Sequence, residues 1–586
     1  MSGNYQRSDR ILRKKFFEYM LPTMITYAAL SLNEFADSML VSNLLGSDAM
    51  AIIGLGMPVM LVMAAVYALL GNGGATVYAL SLGRRDHDTA GRSLTAAMAA
   101  GFAAGLLILV MGNVLFGPVS RMLCHDAELL PEFGKYLRIT LLSAPLLITI
   151  LAFTSFMPAA GYPKESTYLN VISNVANIAM DYVYIRVFHM GVEGAAWATL
   201  TGYIIATLIV VILIAGRRVR MYVSREIIQS MKLLGEIVTK GGPDAMTQIG
   251  FSLQFAFING IAGTLAGTAG IVAFSLCVQA NSVISIFIGA LIGSSVPILS
   301  VLHGQRDYRG EEGVLRTAMK AQLIISVVCV VILEILAPQV ATLYNITEAA
   351  QAALAVRALR IYITTFIIRS AVIVYFRYLM VIGFAGYASL VSALDSFVLI
   401  IPVAWLVSRA FGIGGLWFAF PLNAALIFTF VAVRNLQIAK RSGGRLKGVL
   451  LFEYDGDCEP VMDVTITKDA SSISGISETL QRVCESSGLS RQESIKSALA
   501  VEEMAVYAAN KKDQNAYMDI LARIYKGDVE IDFRSLGAFF DPFADSDADI
   551  IENIRMLRGI ASRIENEYIL GMNSTRVVIE GKNPAE

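Results

Sequence analysis

The chain has 586 residues, 55% of them hydrophobic and only 16% charged, with a mean hydropathy of +0.60. That composition excludes a soluble globular protein of this length and points to a multi-span membrane protein. A formal net charge of zero gives no sign of a nucleic-acid partner, and Cys124, Cys277, Cys329, Cys458 and Cys484 are scattered, with neither metal spacing nor a disulfide framework.

The N-terminal "MSGNYQRSDRILRKKFF" is basic and runs into a full-length apolar segment. It reads as a cytoplasmic flank rather than a cleaved signal, whose apolar run is about 7–15 residues. Apolar runs that match a hydrocarbon core of roughly 30 Å predict six spans before residue 217, at about 16–45, 50–80, 94–116, 135–160, 166–188 and 191–215. Six more are predicted at about 241–264, 269–302, 314–337, 356–383, 386–410 and 412–437. Gly and Pro interruptions such as "GLGMPVM" and "LLGNGGATV" are tolerated where neighbouring helices re-satisfy the backbone. Basic residues cluster before the first span and after the second, fourth, sixth, eighth and twelfth. The positive-inside rule then places both termini in the cytoplasm of a multi-pass cell-membrane protein.

The chain also repeats itself. "GRRDHDTAGRSLTAAM" begins at Gly83 and "GQRDYRGEEGVLRTAM" at Gly304. The same offset of 221 pairs Arg85 with Arg306, Gly46 with Gly267, Gly191 with Gly412 and Gly194 with Gly415. Six spans per copy make the copies parallel repeats about an axis along the membrane normal. The expected fold is an all-α bundle of 12 transmembrane helices in two six-helix lobes, residues 1–216 and 241–440, joined by a cytoplasmic linker at 217–240.

After residue 440 the composition changes. Residues 441–459, with "KRSGGRLKG", read as a linker, and 460–586 as a small soluble α/β sandwich domain. "MDVTITK", "DVEIDFRSL" and "STRVVIE" alternate like strands, while "GISETLQRVCES" and "RQESIKSALAVEEMAVYAANKK" have helical spacing.

Within the first predicted span, "LSLNEFADSML" carries Asn33, Glu34 and Asp37. Asn33 and Asp37 share a helix face, with Glu34 about 100° round. The fifth span sets Asn177 and Asp181 four apart, with Asn174 one turn earlier. An isolated Asn or Gln in a span commonly serves only to glue helices. A carboxylate is a costly glue, so Asp37 and Asp181 together point to function. Oxygen ligands on two helices suit a hard cation such as Na⁺ or an exchangeable proton. The second lobe carries Gln248, Gln254, Gln279, Arg369 and Asp395, a candidate substrate cavity, and also Arg377. Here Asp395 is expected either to bind a cationic substrate or to pair with Arg369 or Arg377.

Taken together, "NEFADSMLVSNLLGSDAMAIIGLGMPV", "GNGGATVYALSLGRRD", "MGVEGAAWATL" and the six-plus-six repeat resemble the multidrug and toxic compound extrusion (MATE) family over roughly residues 10–440. The resemblance implies Na⁺- or H⁺-driven antiport in which amphipathic organic cations leave the cell by alternating access. It also implies a coupling site at Asp37, Asn177, Asp181 and Thr199, with no resident cofactor and no catalysis. Two departures stand out. Asp395 occupies a place where many relatives have a basic residue, and the acidic residue that some relatives carry in the seventh helix has no counterpart in this reading.

The tail resembles the histidine-kinase-like ATPase fold, in particular its anti-sigma-factor-kinase branch, through "SALAVEEMAVYAANKK", "DVEIDFRSLGAFFDPF" and "NIRMLRGIASRIENEYILGMNSTRVVIE". Glu502 and Glu503 match that branch, but Tyr507 stands where its metal-site Asn belongs, and Ser535 and Leu536 replace its two aspartates. Gly537, Phe540, Asp541 and Pro542 are kept. Loss of those polar groups removes what a buried nucleotide needs, so the expectation is a degenerate domain without ATP turnover, available to bind a regulatory protein partner. The alternative to an exporter is a membrane sensor whose tail binds such a partner and whose bundle detects a ligand without moving it.

Overall fold

The computed structural model describes residues 7–124, 128–343, 348–453, 460–467, 470–510, 514–525, 527–539 and 556–581. The chain divides into two compact units. One, Phe16–Asp307 with Leu315–Arg434, is helical; the other gathers Met1–Lys15, Tyr308–Val314 and Asn435–Glu586 and holds the sheet.

The helices in chain order are α1 (Arg10–Leu45), α2 (Ser47–Tyr67), α3 (Gly73–Gly83), α4 (His87–Val114), α5 (Phe116–Leu123), α6 (Leu130–Ala159), α7 (Pro163–Tyr182), α8 (Val192–Ala215), α9 (Ile227–Ser230), α10 (Leu234–Gly304), α11 (Tyr308–Leu343), α12 (Ala349–Val381), α13 (Ala385–Ala393) and α14 (Ile400–Arg441). A wider π turn at Ala68–Asn72 carries α2 into α3, and others extend α7 (Val183–Val187) and join α13 to α14 (Leu394–Val398). Among the described residues, eight helical stretches are long and apolar enough to cross a membrane. The helices that carry Asp37 and Asp181, α1 and α7, fall outside those eight, because their polar residues lower the hydropathy. Two of the eight are compound: α10 breaks at Ala266–Gly267 and α14 at Gly412.

These breaks follow the sequence repeat. Gly46 and Gly267 both have positive φ (86° and 57°), as do Gly191 and Gly412 (63° each) and Arg85 and Arg306 (60° and 57°). Each pair stands 221 residues apart. Glycine tolerates that backbone without steric cost, so a repeated glycine marks a repeated helix end. Side-chain exposure repeats as well. On α4, Phe102, Leu106, Leu107, Val110, Met111 and Val114 are exposed; on α11, so are Leu323, Val327, Val328, Val331, Ile332 and Ile335, at the same offset. An apolar stripe of that length is a liability in water and a natural lipid-facing surface.

Cores form on both sides of the repeat. Phe133, Leu137, Leu147 and Ile148 of α6 cluster with Ile52 and Met63 of α2. In the second copy, Phe274, Tyr362, Phe366, Trp417 and Phe420 pack together, with the Tyr362 and Phe420 rings edge-to-face at 4.8 Å. The copies touch where α3 meets α10. A Cβ on Gly241 would lie 1.9 Å from the Leu69 carbonyl oxygen, and one on Gly304 2.3 Å from that of Leu80. From the other side, a Cβ on Gly73 or Gly83 would strike Ile237 or Val301 carbonyl oxygens at 2.1 and 2.2 Å. Without a hydrophobic drive in lipid, such close backbone contact through small residues is what holds helices together. The stretch 218–224 straps across the start of α4: Ser224 N–H donates to the Gly91 carbonyl at 3.3 Å, and Tyr222 stacks on His87 at 4.2 Å.

The sheet unit begins its fold with a short hairpin, β1 (Leu446–Lys447) on β2 (Phe452–Glu453), in the stretch expected to be a plain linker. A five-stranded antiparallel sheet follows: β3 (Pro460–Thr467), β4 (Gln514–Tyr525), β5 (Asp528–Gly537), β6 (Arg563–Ile569) and β7 (Met572–Ile579), in the order β3-β4-β5-β7-β6. Helices α15 (Ala470–Ser486) and α16 (Arg491–Asn510) cover one face, burying Ile476, Leu480, Val501, Met504, Ile520, Ile531, Phe533 and Val577. The other face is polar: Asp532 accepts from Arg576 at 2.7 and 3.0 Å and lies 3.6 Å from Arg523. Strands β4 and β6 have no counterpart among the expected strands.

Replacing Gly241 by Ala is expected to lower the thermal unfolding midpoint in detergent, overpacking a tight helix contact at a cost of about 1–3 kcal/mol. Gly260→Ala, where the added methyl meets open space, serves as the control. Equal midpoints for the two variants would refute the close α3–α10 approach.

Candidate functional site

Helices α1, α6, α7 and α8 carry the residues singled out in the first copy. Asp181 lies on the last turn of α7, fully buried (0% exposed). Neither of its carboxylate oxygens has a hydrogen-bond partner among the described residues. Asp37, on α1, is half-buried and within electrostatic reach of Asp181. Tyr136 of α6, itself buried, is within reach of both. The two aspartates therefore face one region of the bundle.

Asn177, one turn before Asp181, is buried against α8, where a Cβ on Gly202 would meet its Cβ at 3.3 Å. Asn174 and Asn33 are half-buried, each with one buried amide atom lacking a partner among the described residues, Nδ2 and Oδ1 respectively. Glu34 is exposed. Thr199 of α8 donates its hydroxyl hydrogen to the Ala195 carbonyl at 3.1 Å, which leaves its oxygen lone pairs as acceptors. No cluster of three or more His, Cys, Asp or Glu occurs among the described residues. Any ion held here would draw on two carboxylates and neutral oxygens from amides and hydroxyls, a donor set suited to a hard monovalent cation or a proton and too sparse for a tightly held divalent metal.

In the second copy, Asp395 is buried and paired with Arg369, Nε to Oδ2 3.0 Å. Of the two roles open to Asp395, the structure records the ion pair. Gln254 is buried with its Oε1 lacking a partner among the described residues, Gln248 is half-buried and Gln279 exposed. A groove of about 560 Å³ runs between Phe257, Ile261 and Leu265 of α10 and Trp405 and Arg409 of α14, and none of the five expected cavity residues lines it.

Sequence reasoning missed a polar network at the junction of the copies. Asp244, in the opening turns of the seventh predicted span, is buried and forms an ion pair with Arg377 of α12. Its Oδ2 also accepts from Asn72 Nδ2 at 2.6 Å, and Asn72 Oδ1 accepts from Ser155 at 3.1 Å. The seventh predicted span thus holds a buried carboxylate that was not singled out in the sequence; its place beside Pro243 at the start of the apolar run made it look like a flank. Arg377 faces Asp244, and Arg369 takes Asp395. Nearby, Lys240 Nζ donates to the Met380 and Val381 carbonyls at 2.5 and 3.1 Å, capping the end of α12. Tyr27 of α1 packs on Gly289 of α10, where an added Cβ would lie 2.6 Å from its ring, and Thr23 packs likewise on Gly293.

In the tail, Glu503 lies on α16, half-buried, and its carboxyl is held above the ordinary value by burial and by Glu502 beside it. Gly537 ends β5 with φ 147°. The side chain of Tyr507 and residues Phe540, Asp541 and Pro542 lie outside the described residues.

Removing one member of the Arg369–Asp395 pair would strand a buried charge. Asp395→Leu alone is expected to cost about 3–5 kcal/mol, and the double change Asp395→Leu/Arg369→Leu to recover most of it, as read by thermal unfolding in detergent. Additive losses would rule out the pair as a structural unit.

Residues 22–183 match the MatE family model. The chain is 23% identical over 372 residues to "Multidrug export protein MepA" of Staphylococcus saprophyticus, covering 63% of this chain and 81% of that one. It is 20% identical over 422 residues to "Probable multidrug resistance protein YoeA" of Bacillus subtilis, covering 70% and 90%. Among solved structures, a mutant form of the MATE transporter VcmN of Vibrio cholerae superposes with a TM-score of 0.68 at 22% identity, covering 75% of this chain and 99% of that one. A multidrug resistance MATE family transporter in an outward-facing conformation gives 0.67 at 22%, covering 73% and 97%. The helical unit therefore has the fold of these MATE transporters.

Proposed function

We propose that this protein is a secondary antiporter that exports amphipathic organic cations across the cell membrane in exchange for H⁺ or Na⁺. The observation that carries the proposal is Asp181, wholly buried in a helical bundle, with neither carboxylate oxygen hydrogen-bonded among the described residues and with Asp37 in electrostatic reach. A carboxylate so placed is costly unless a proton or a cation compensates it. The names of the similar exporters support multidrug efflux as the class of activity.

In this reading α10 and α14 each count as two spans, split at their left-handed glycines. The bundle then has twelve helices in two six-helix lobes, with both termini cytoplasmic. The lobe contacts at Gly73, Gly83, Gly241, Gly304 and the Asp244–Arg377 pair fall on the cytoplasmic side, so that side is closed. Asp37 and Asp181 lie toward the opposite side, where an incoming ion reaches them first. Asn177, Thr199 and the amides of Asn33 and Asn174 supply neutral oxygens to the ion. Compensating the aspartates favours one packing of the lobes over the other, and substrate favours the reverse. That differential affinity is what couples the two fluxes. The tail acts as a degenerate histidine-kinase-like domain without ATP turnover.

In vesicles with an imposed Na⁺ or pH gradient, Asp37→Asn and Asp181→Asn are each expected to lower gradient-driven efflux of a fluorescent organic cation at least tenfold. Retention of full gradient-driven efflux by both variants would dismiss the coupling site.

A further inference from the structure

The sheet unit contains three stretches that are distant in sequence: the basic arm that precedes the first span, the first turns of α11, and the C-terminal domain. The arm docks on the edge strand β3. Arg7 N–H donates to the Asp463 carbonyl at 3.1 Å, and Ser8 N–H donates to the Thr465 hydroxyl oxygen at 2.9 Å. The Arg7 guanidinium lies 3.6 Å from Asp463 and 3.7 Å from Asp519, with all three side chains 5% exposed or less. Arg10 donates to the Tyr517 hydroxyl at 2.7 Å, and Lys15 to the Gly571 carbonyl at 3.2 Å. The same Asp463 also takes Arg309, from the first turn of α11, at 3.4 Å. Arm and helix lie close together: a Cβ on Gly313 would lie 2.7 Å from the Asp9 carboxylate.

Charge favours the contact. Acids line the polar sheet face at the β3–β4 edge (Asp463, Asp519), on β5 (Asp532) and on the far edge strand β6 (Glu565, Glu567), with Arg523, Arg534 and Arg576 between them. At the β3–β4 edge the basic arm meets Asp463 and Asp519, and it covers backbone groups that an edge strand would otherwise expose. We infer that the acidic edge of the C-terminal sheet is a receptor for the chain's own basic arm, and that by gripping the arm and the start of α11 together the tail clamps the two repeat copies at their cytoplasmic ends. The arm continues into α1, of the first copy, and Arg309 belongs to α11, of the second. An exporter that opens toward the cytoplasm separates those ends, so the clamp opposes that opening and sets its rate. The clamping step rests on the antiport reading above; the docking surface does not.

The variant of choice is Arg7→Gln in the full-length chain, since it alters the arm and leaves the C-terminal domain intact. Tryptic cleavage at Arg10, Arg13 and Lys14 is followed by mass spectrometry, in detergent and at rising salt. Cleavage is expected to accelerate at least fivefold over the unmodified chain, and raised salt to bring the unmodified chain to the same rate; unchanged cleavage would overturn the docking surface whether or not the protein transports anything. The double variant Arg7→Glu/Asp519→Arg is expected to slow cleavage again relative to Asp519→Arg alone. In vesicles, Arg7→Gln is expected to raise the initial efflux rate at least twofold. Faster cleavage with unchanged efflux in a chain that does transport would overturn the clamp, whereas absence of efflux from the unmodified chain would count against the antiport reading and leave the cleavage result to stand for the surface.

Discussion

A carboxylate removed from water and given no hydrogen-bond donor is the constraint around which this bundle is arranged. Asp181 has that environment among the described residues, and the charged group within its reach is another acid, Asp37. In an apolar medium two neighbouring carboxylates without a counter-charge cost far more than ordinary packing contributes. Around α7, the helix that holds Asp181, pack α6, with buried Tyr136, and α8, where Gly202 lies close against Asn177.

The second copy treats charge differently. Asp395 has Arg369 and Asp244 has Arg377, so these buried acids are neutralised within the protein. Two copies with one backbone plan, down to the same left-handed glycines and the same exposed apolar stripe, thus differ in their buried acids: Asp181 has no hydrogen-bond partner among the described residues, whereas Asp395 and Asp244 are paired with arginines. Parallel repeats in a transporter bring such unlike halves to face one another across a common cavity.

Much of this was legible in the sequence, for physical reasons. The repeat at Gly46, Gly191 and Arg85 could be read because helix ends depend on local backbone chemistry, which the residue type reports directly. The pairing of Asp37 with Asp181 could be proposed because a bilayer makes any buried acid conspicuous. What the sequence hid depends on long-range partners. Asp244 sits beside Pro243 at the start of an apolar run, and nothing local distinguishes a flanking acid from one locked to Arg377 and Asn72. Hydropathy alone picks out eight stretches among the described residues and passes over α1 and α7, whose polar residues lower it. In the tail, β4 alternates Asp519 and Arg523 with apolar residues, a pattern that passes for an amphipathic surface until the face carrying them is found to be covered. The hold of Arg7 on that face joins residues more than four hundred positions apart and leaves no local trace.

Lys240 has a mechanical consequence. Its ammonium group caps the last carbonyls of α12 while its own backbone belongs to the opening turns of α10, so the entry to the second copy is riveted to the end of α12, the tenth predicted span of the chain. A rivet of this kind cannot flex without stranding a buried charge. The chain upstream is fastened as well: Ser224 exchanges hydrogen bonds with Thr95 and Arg92 lies 3.3 Å from Glu226, so the approach to the second copy is held at both of its ends.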